Sequence, residues 1–348
     1  MAQKHGNKYG THRVITPYGV LPQPADKVDN NMDEIYDNEI LIDVQTLNID
    51  SASFTDISRR AEGDVEKIKE IMLDIVATQG KHRNPWTGSG GMLLGKVEQI
   101  GDALKDKIDL KVGDRIATLV SLSLTPLRID EILEVRAEVD QVDIKGKAIL
   151  FESGIYAKIP DDLPEKLALS ALDVAGAPAQ TAKLCKPGQT VVILGAGGKS
   201  GMLCCYEAKK RVGVTGKVIG LANSPKSTQR IKDLGFCDVV ESVAGLTPVQ
   251  IGELVGKLTG GKMADVTINT VNVPDTEMTS VLCTKEDGIV YFFSMATSFT
   301  KAALGAEGIG ADVTMIIGNG YTKGHAEITL QELRENEKLR KIFEELYA

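Results

Sequence analysis

The chain is poor in the residues that staple or metallate a protein. Its 348 residues include five cysteines and four histidines. The cysteine count is odd, none precedes Cys185, and no Cys-x-x-Cys pair occurs, so a disulfide framework is not expected. There is no His-Glu-x-x-His segment and no clustered Cys/His set, so a zinc site is not expected either. No apolar run approaches the ~18 residues of a membrane span. The polar start, Met1-Ala2-Gln3-Lys4-His5-Gly6, lacks the apolar segment of a secretion signal. Positive charge is also in the minority: 40 Lys and Arg against 48 Asp and Glu leave a net charge of −8. Nucleic acid and anionic membranes reward clustered cations, so neither is an expected partner. These absences leave a cytoplasmic protein acting on a small molecule, long enough for about two domains.

The first half reads as β-structure with one clear helix. Residues 39–44 alternate in the manner of a half-buried strand. In 64–76 the apolar residues Val65, Ile68, Ile71, Met72, Ile75 and Val76 recur at helical spacing, and Gly80 follows as a stop. A turn-rich loop, Lys81-His82-Arg83-Asn84-Pro85-Trp86-Thr87-Gly88, holds the single tryptophan. Residues 92–100 read as a strand, and 110–116 as a turn entering another. Beyond about residue 162 the period changes. A helical stretch runs to about Cys185, bent near Gly176 and Pro178. Strands at 190–195, 217–222, 238–241, 265–269, 288–294 and 312–317 then alternate with helices, of which 200–212 and 225–234 are the first. Such alternation predicts a parallel sheet covered on both faces. The chain ends in a helix with a capping box from Thr329 to Glu332, its buried stripe Leu330, Leu333, Leu339, Ile342, Phe343 and Leu346.

The strongest local signal is Val191-Val192-Ile193-Leu194-Gly195-Ala196-Gly197-Gly198-Lys199-Ser200-Gly201. It leaves a strand and enters a helix. Glycines let the backbone turn tightly and let a pyrophosphate approach the helix N-terminus, where free amides and the dipole favour an anion. A Walker A loop is excluded, because its first glycine would fall five residues before Gly198, where Ile193 stands with Leu194 after it. At the end of the second strand an NAD site usually offers an acid to the ribose diol. Here stand Ala222, Asn223 and Ser224, with Lys226 and Arg230 close behind. Cations there suit a 2′-phosphate, so NADP is the expected cofactor and NAD the alternative. Ser294 and Met295 end the fifth strand of the alternating half, and Gly318-Asn319-Gly320-Tyr321 follows the last one. Both are candidates for the nicotinamide wall, since ligands of open α/β sheets bind at strand carboxyl ends. Cys204 and Cys205 lie in an apolar run and read as core.

The order of elements, with the turns at 110–116 and 186–188, resembles the medium-chain dehydrogenase/reductase superfamily. The spacing of Gly195, Gly198 and Gly201 resembles its zinc-free quinone reductase branch. Where zinc members carry Gly-His-Glu this chain has Ser89-Gly90-Gly91-Met92, and their Cys segment is replaced by Leu47-Asn48-Ile49-Asp50-Ser51. More narrowly, Lys8-Tyr9-Gly10-Thr11-His12-Arg13-Val14, Leu21-Pro22-Gln23-Pro24, Asn48-Ile49-Asp50-Ser51-Ala52-Ser53-Phe54 and the glycine loop resemble the L-erythro-3,5-diaminohexanoate dehydrogenases of bacterial lysine fermentation. The resemblance implies an α/β fold: a β-rich GroES-like catalytic domain of residues 1–164 and 319–348, and a Rossmann doubly wound parallel sheet of residues 165–318. It implies oxidative deamination at carbon 3 of a diamino acid, without zinc, in a homodimer; strand 312–317 would be the exposed edge that pairs. A carbonyl or quinone reductase on the same fold, and a nucleotide-sensing protein without catalysis, remain open.

An amine oxidised by hydride loss must first be deprotonated, and the resulting iminium carbon must meet an activated water. The resemblance places Asp50 and Ser51 where the superfamily's strand-to-helix active-site turn should be. Asp50 is a candidate base or ammonium anchor, or a helix N-cap. Lys81 and Arg83 are candidates for the substrate carboxylate, and His82 for proton relay. Glu152 is a second candidate base. Asp173 and Trp86 are candidate substrate contacts.

Overall fold

The computed structural model describes residues 4–294, 296–318 and 320–348. They divide into two compact units, Met1–Asp173 with Leu346–Ala348, and Val174–Glu345. In the first unit β1 (Val14–Thr16) and β2 (Lys27–Val28) form a short hairpin. Then come β3 (Glu39–Asn48), α1 (Ser51–Arg60), α2 (Val65–Gln79), β4 (Met92–Ile100), β5 (Arg115–Thr118), β6 (Leu127–Arg136), β7 (Gln141–Phe151), β8 (Tyr156–Lys158) and α3 (Glu165–Leu172). Six strands make an antiparallel sheet in the order β6-β7-β3-β4-β5-β8. Central β3 is paired on both sides, with a register shift between Val44 and Thr46 against each neighbour. Ile42, Leu47, Ile57, Met72, Leu93, Ile116 and Val142 are fully buried in this unit's core. Helix α2 buries Ile68, Met72, Ile75 and Val76. The Asp64 carboxylate accepts the amides of Glu66 and Lys67, and Gly80 ends the helix at φ 70°. The helix runs from Val65 to Gln79 and stops at Gly80, the residue expected to end it.

The second unit contains α4 (Gly176–Leu184), β9 (Thr190–Leu194), α5 (Lys199–Val212), β10 (Lys217–Ala222), α6 (Pro225–Leu234), β11 (Val239–Ser242), α7 (Pro248–Leu258), β12 (Ala264–Asn269), α8 (Glu277–Cys283), β13 (Thr284–Phe292), α9 (Phe299–Gly308), β14 (Val313–Ile317), α10 (His325–Glu335) and all but the last two residues of α11 (Glu337–Tyr347). Its six strands are all parallel, in the order β11-β10-β9-β12-β13-β14. This is the doubly wound dinucleotide-binding order, with β9 in the place of the first strand. The chain reverses direction across the sheet between β9 and β12, and Leu194 sits opposite Leu221 on one side and Asn269 on the other. Such a switch point opens a crevice at the strand carboxyl ends. Beneath it Val192, Ile193, Ile219, Val266 and Ile268 are fully buried.

Three expectations are corrected. Residues 319–348 do not return as a block to the first unit: α10 packs on α4 and α5, and the Thr322 hydroxyl donates to Gln180 Oε1 at 2.8 Å. The helix expected up to Cys185 is broken between Leu172 and Gly176 rather than bent at Pro178, which sits in the first turn of α4, where its missing amide is tolerated. The C-terminal helix is two helices. Thr329 and Glu332 lie fully buried inside α10 and form no capping box. Instead the Asn336 side chain accepts the Leu339 amide at 2.9 Å and starts α11, a role that asparagine fills well.

Candidate active site

The phosphate loop is built as its glycines require. Gly195 takes φ 81°, and a Cβ there would lie 2.8 Å from Thr270 Oγ1. At Gly201 a Cβ would lie 2.1 Å from the Gly195 carbonyl, and at Gly197 it would lie 2.4 Å from the Ser227 carbonyl. Gly198 meets nothing nearer than 3.3 Å, so space rather than backbone strain marks it. It is the N-cap of α5, and no side chain caps that helix. A cradle with an uncapped helix start fits a dinucleotide pyrophosphate.

The other expected cofactor residues gather around this loop. Ser224 caps α6 and exchanges hydrogen bonds with Ser227. Arg230 donates to the Gly197 carbonyl at 2.6 Å, fixing α6 beside the loop. Asn223 and Lys226 are exposed at the end of β10 and the start of α6. Lys199 and Ser200 open α5. Sequence reasoning missed the opposite wall, which follows β12. The Thr270 hydroxyl donates to the Leu194 carbonyl at 2.8 Å. Ser294 donates to Asn272 Oδ1 at 3.3 Å, so the turns after β12 and β13 meet. The available signal was positional, because Thr270 and Asn272 follow a strand adjacent to the first. Met295 and Asn319, both expected on the nicotinamide side, lie outside the described residues. Cys204 and Cys205 are fully buried, and burial pushes both thiols well above their ordinary range.

In the first unit Asp50 sits between β3 and α1. Its Oδ1 accepts the Ser53 amide at 3.0 Å, capping α1. Its Oδ2 is buried and has no hydrogen-bond partner among the described residues. The loop after α2 closes against this turn: Ser53 and Thr87 join through their hydroxyls at 2.6 Å. A Cβ on Gly91 would lie 2.8 Å from the Asp50 amide nitrogen. Asn84, fully buried, organises the junction. Its Nδ2 donates to the Ser53 carbonyl and to Asp56 Oδ2, while its Oδ1 accepts the amides of Trp86 and Thr87. Ser53, Asn84 and Thr87 were not singled out from sequence, since a network joining segments thirty residues apart leaves no local periodicity.

The remaining candidates fall elsewhere. Ser51 is exposed and donates to Asp140 Oδ2 at 2.7 Å. Lys81 is fully buried, and its ammonium donates to the carbonyls of Pro22 at 2.6 Å and Gln23 at 3.0 Å. Burial, with Arg83 nearby, lowers it to about 8. Arg83 donates to the carbonyls of Pro24 and Ala25. Both cations therefore clasp the N-terminal segment rather than standing open for a carboxylate. His82 is fully buried with neither ring nitrogen partnered among the described residues, and burial lowers it to about 4. It is a neutral core histidine at physiological pH, with no exposed face for proton relay. Glu152 follows β7 and accepts Asn38 Nδ2 at 3.0 Å. Residues 38 and 152 adjoin the paired Glu39 and Phe151, whereas Asp50 lies just past the far end of β3. The ten residues of β3 span roughly 30 Å, so Asp50 and Glu152 cannot act on one bond. Around Glu39, burial pushes its carboxyl up, but hydrogen bonds from His12 and Arg13 outweigh this and hold it below its ordinary value. That end of the sheet is a structural ion-pair network. Asp173 closes the C-terminus of α3, and Trp86 is 80% exposed at the tip of its loop.

The family described as the L-erythro-3,5-diaminohexanoate dehydrogenase N-terminal domain matches residues 12–160. A protein of that name from Acetoanaerobium sticklandii is 64% identical over 342 residues, covering 98% of this chain and 99% of its own. One of the same name from Fusobacterium nucleatum is 63% identical over 347 residues, covering 99% of each. Among solved structures, a quinone oxidoreductase of Pseudomonas syringae pv. Tomato DC3000 superposes with a TM-score of 0.51 at 22% identity, over 100% of this chain and 87% of its own. That likeness carries the fold alone. The two relatives match over nearly the full length of the chain, and the chain belongs to the L-erythro-3,5-diaminohexanoate dehydrogenase family.

Proposed function

We propose that this chain oxidatively deaminates L-erythro-3,5-diaminohexanoate at carbon 3, as part of lysine degradation. The products are 5-amino-3-oxohexanoate, ammonia and reduced nicotinamide, and one water is consumed. The observation that carries this reading is end-to-end identity of 64% to a relative bearing that name, together with a loop fitted to a dinucleotide. The nicotinamide, when bound, accepts the hydride. The protein's part is proton transfer and orientation. Asp50 Oδ2 is the group we place at the reacting nitrogen. It takes the proton from the carbon-3 ammonium, freeing the lone pair that expels hydride and leaves an iminium. Once that proton has passed to solvent, the ionised oxygen takes a proton from the water that adds to carbon 3 and returns it to the departing nitrogen, which leaves as ammonia while the hydroxyl proton is lost as the ketone forms. Its partner oxygen is tied to the Ser53 amide, so the carboxylate is oriented without losing its free acceptor.

NADP is the favoured cofactor on this reading. No acid stands at the end of β10, and Lys226 and Arg230 are within reach of a 2′-phosphate there. The proposed reaction runs without zinc. A homodimer is favoured because β14 is a free sheet edge, with Ile317 exposed on it and Phe299 and Leu304 exposed on α9. No helix among the described residues is long and apolar enough to cross a membrane. The test is a coupled assay of reduced nicotinamide and free ammonia from 3,5-diaminohexanoate, with NAD and NADP in parallel. Equal amounts of both products support the reading. Reduced nicotinamide without ammonia would move it to an alcohol or carbonyl oxidoreductase.

A further inference from the structure

The chain's only tryptophan is displayed rather than packed. Trp86 is 80% exposed, yet the loop that carries it is tied down on every side. Within the loop, Asn84 donates its amide to the Ser89 carbonyl at 2.8 Å, and the Gly88 amide returns to the Asn84 carbonyl at 2.9 Å. The Trp86 amide is held by Asn84 Oδ1 at 2.7 Å. On one flank the Thr87 hydroxyl meets Ser53, whose amide caps onto Asp50. On the other, Gln23 Nε2 donates to the Gly88 carbonyl at 3.4 Å. An indole on a mobile loop would be ordinary surface. A tryptophan whose backbone is held by a buried asparagine, two side chains along the network from a carboxylate oxygen with no partner among the described residues, stands on a loop preorganised for a ligand.

The chemistry of that pair is selective. An ionised carboxylate and the face of an indole both attract a cation, and tryptophan is the strongest of the aromatic partners. We propose that Trp86 is the specificity-determining residue for the substrate's second amine: its indole receives the carbon-5 ammonium while Asp50 serves the nitrogen at carbon 3. The inference rests on the proposed diamino acid substrate. The carbon-5 ammonium stays charged throughout the reaction, so its contact with Trp86 is the same in ground and transition states. Such uniform binding governs KM and leaves kcat alone.

Because Trp86 is largely exposed, its replacement leaves the fold intact. Trp86→Leu keeps apolar bulk and removes the π-face. It should raise KM for 3,5-diaminohexanoate by about 5- to 30-fold with kcat within about twofold. KM for 3-aminohexanoate, which lacks the second amine, should be unchanged, and Trp86→Phe should fall between. The single indole also supplies a readout that needs no turnover. With adenosine diphosphoribose bound, 3,5-diaminohexanoate should shift or quench the tryptophan emission, and 3-aminohexanoate should not. Equal loss of both substrates in Trp86→Leu, or turnover of the diamine with emission unmoved, overturns the inference while the proposed reaction stands. Absence of turnover with either nucleotide sinks the reaction itself. In that case an emission response specific to the diamine would still support Trp86 as its reader, and no response would remove both.

Discussion

One oxygen of Asp50 caps α1 and the other is buried with no partner among the described residues. A pure N-cap does not need the second oxygen, because serine or asparagine would serve. Asp50→Asn keeps the cap and removes the base. It should leave nucleotide affinity intact and lower kcat by roughly 10²–10⁴, read by steady-state kinetics beside a nucleotide titration. Unchanged turnover would return Asp50 to a structural role. His82 gives the contrasting case. Burial lowers it from 6.5 to about 4, so the unfolded chain binds the proton more readily than the fold does. Its contribution to stability is whole above pH 6.5 and is lost as pH falls toward 4. The difference amounts to about 3 kcal/mol. The apparent melting temperature should therefore fall across that window, and His82→Leu should flatten the fall without altering the pH profile of kcat. The sequence named both residues but did not separate them. Residue type told that each can carry a proton, whereas burial and partners, which decide whether it does, are set by segments far along the chain.

Local pattern served well where one element answers to one signal. The ends of β4, β10 and α6 fall where alternation, apolar runs and Ser-Pro to Gly boundaries place them. Pattern failed where a tertiary contact decides. Thr329 and Glu332 have the spacing of a capping box, but α10 begins earlier, at Gly324 with φ 79°, and Asn336 takes the capping role for α11. The glycine loop shows how one motif combines two demands. Gly201→Ala places a Cβ 2.1 Å from the Gly195 carbonyl, so it should lower the melting temperature and nucleotide affinity together. Gly198→Ala meets nothing closer than 3.3 Å and has no positive φ to strain. It should melt within a few degrees of the parent yet bind nucleotide at least about tenfold more weakly, because the added methyl stands where the pyrophosphate approaches. Thermal melts and nucleotide titrations of the two variants check this. Equal affinity in Gly198→Ala would place the phosphate elsewhere.

Two units have separate cores: one holds a parallel sheet with its switch point at Gly195, and the other an antiparallel sheet whose central strand β3 ends just before Asp50. That division was legible in the change of period after residue 162, because each sheet type imposes its own pattern of burial. The assignment of residues 319–345 was not, since it depends on what α10 packs against. The free edge of β14 predicts a particle of twice 37.4 kDa by light scattering at micromolar concentration. A charged substitution at Ile317 should shift it toward monomer, and a monomeric parent would refute the pairing. The central claim is that hydride leaves carbon 3 of the diamino acid. It is tested most directly by supplying 3,5-diaminohexanoate with deuterium at carbon 3 and locating the label by mass spectrometry. One deuterium should appear on each reduced nicotinamide formed, with one ammonia released per label. Deuterium retained in the organic product while nicotinamide is reduced would contradict it.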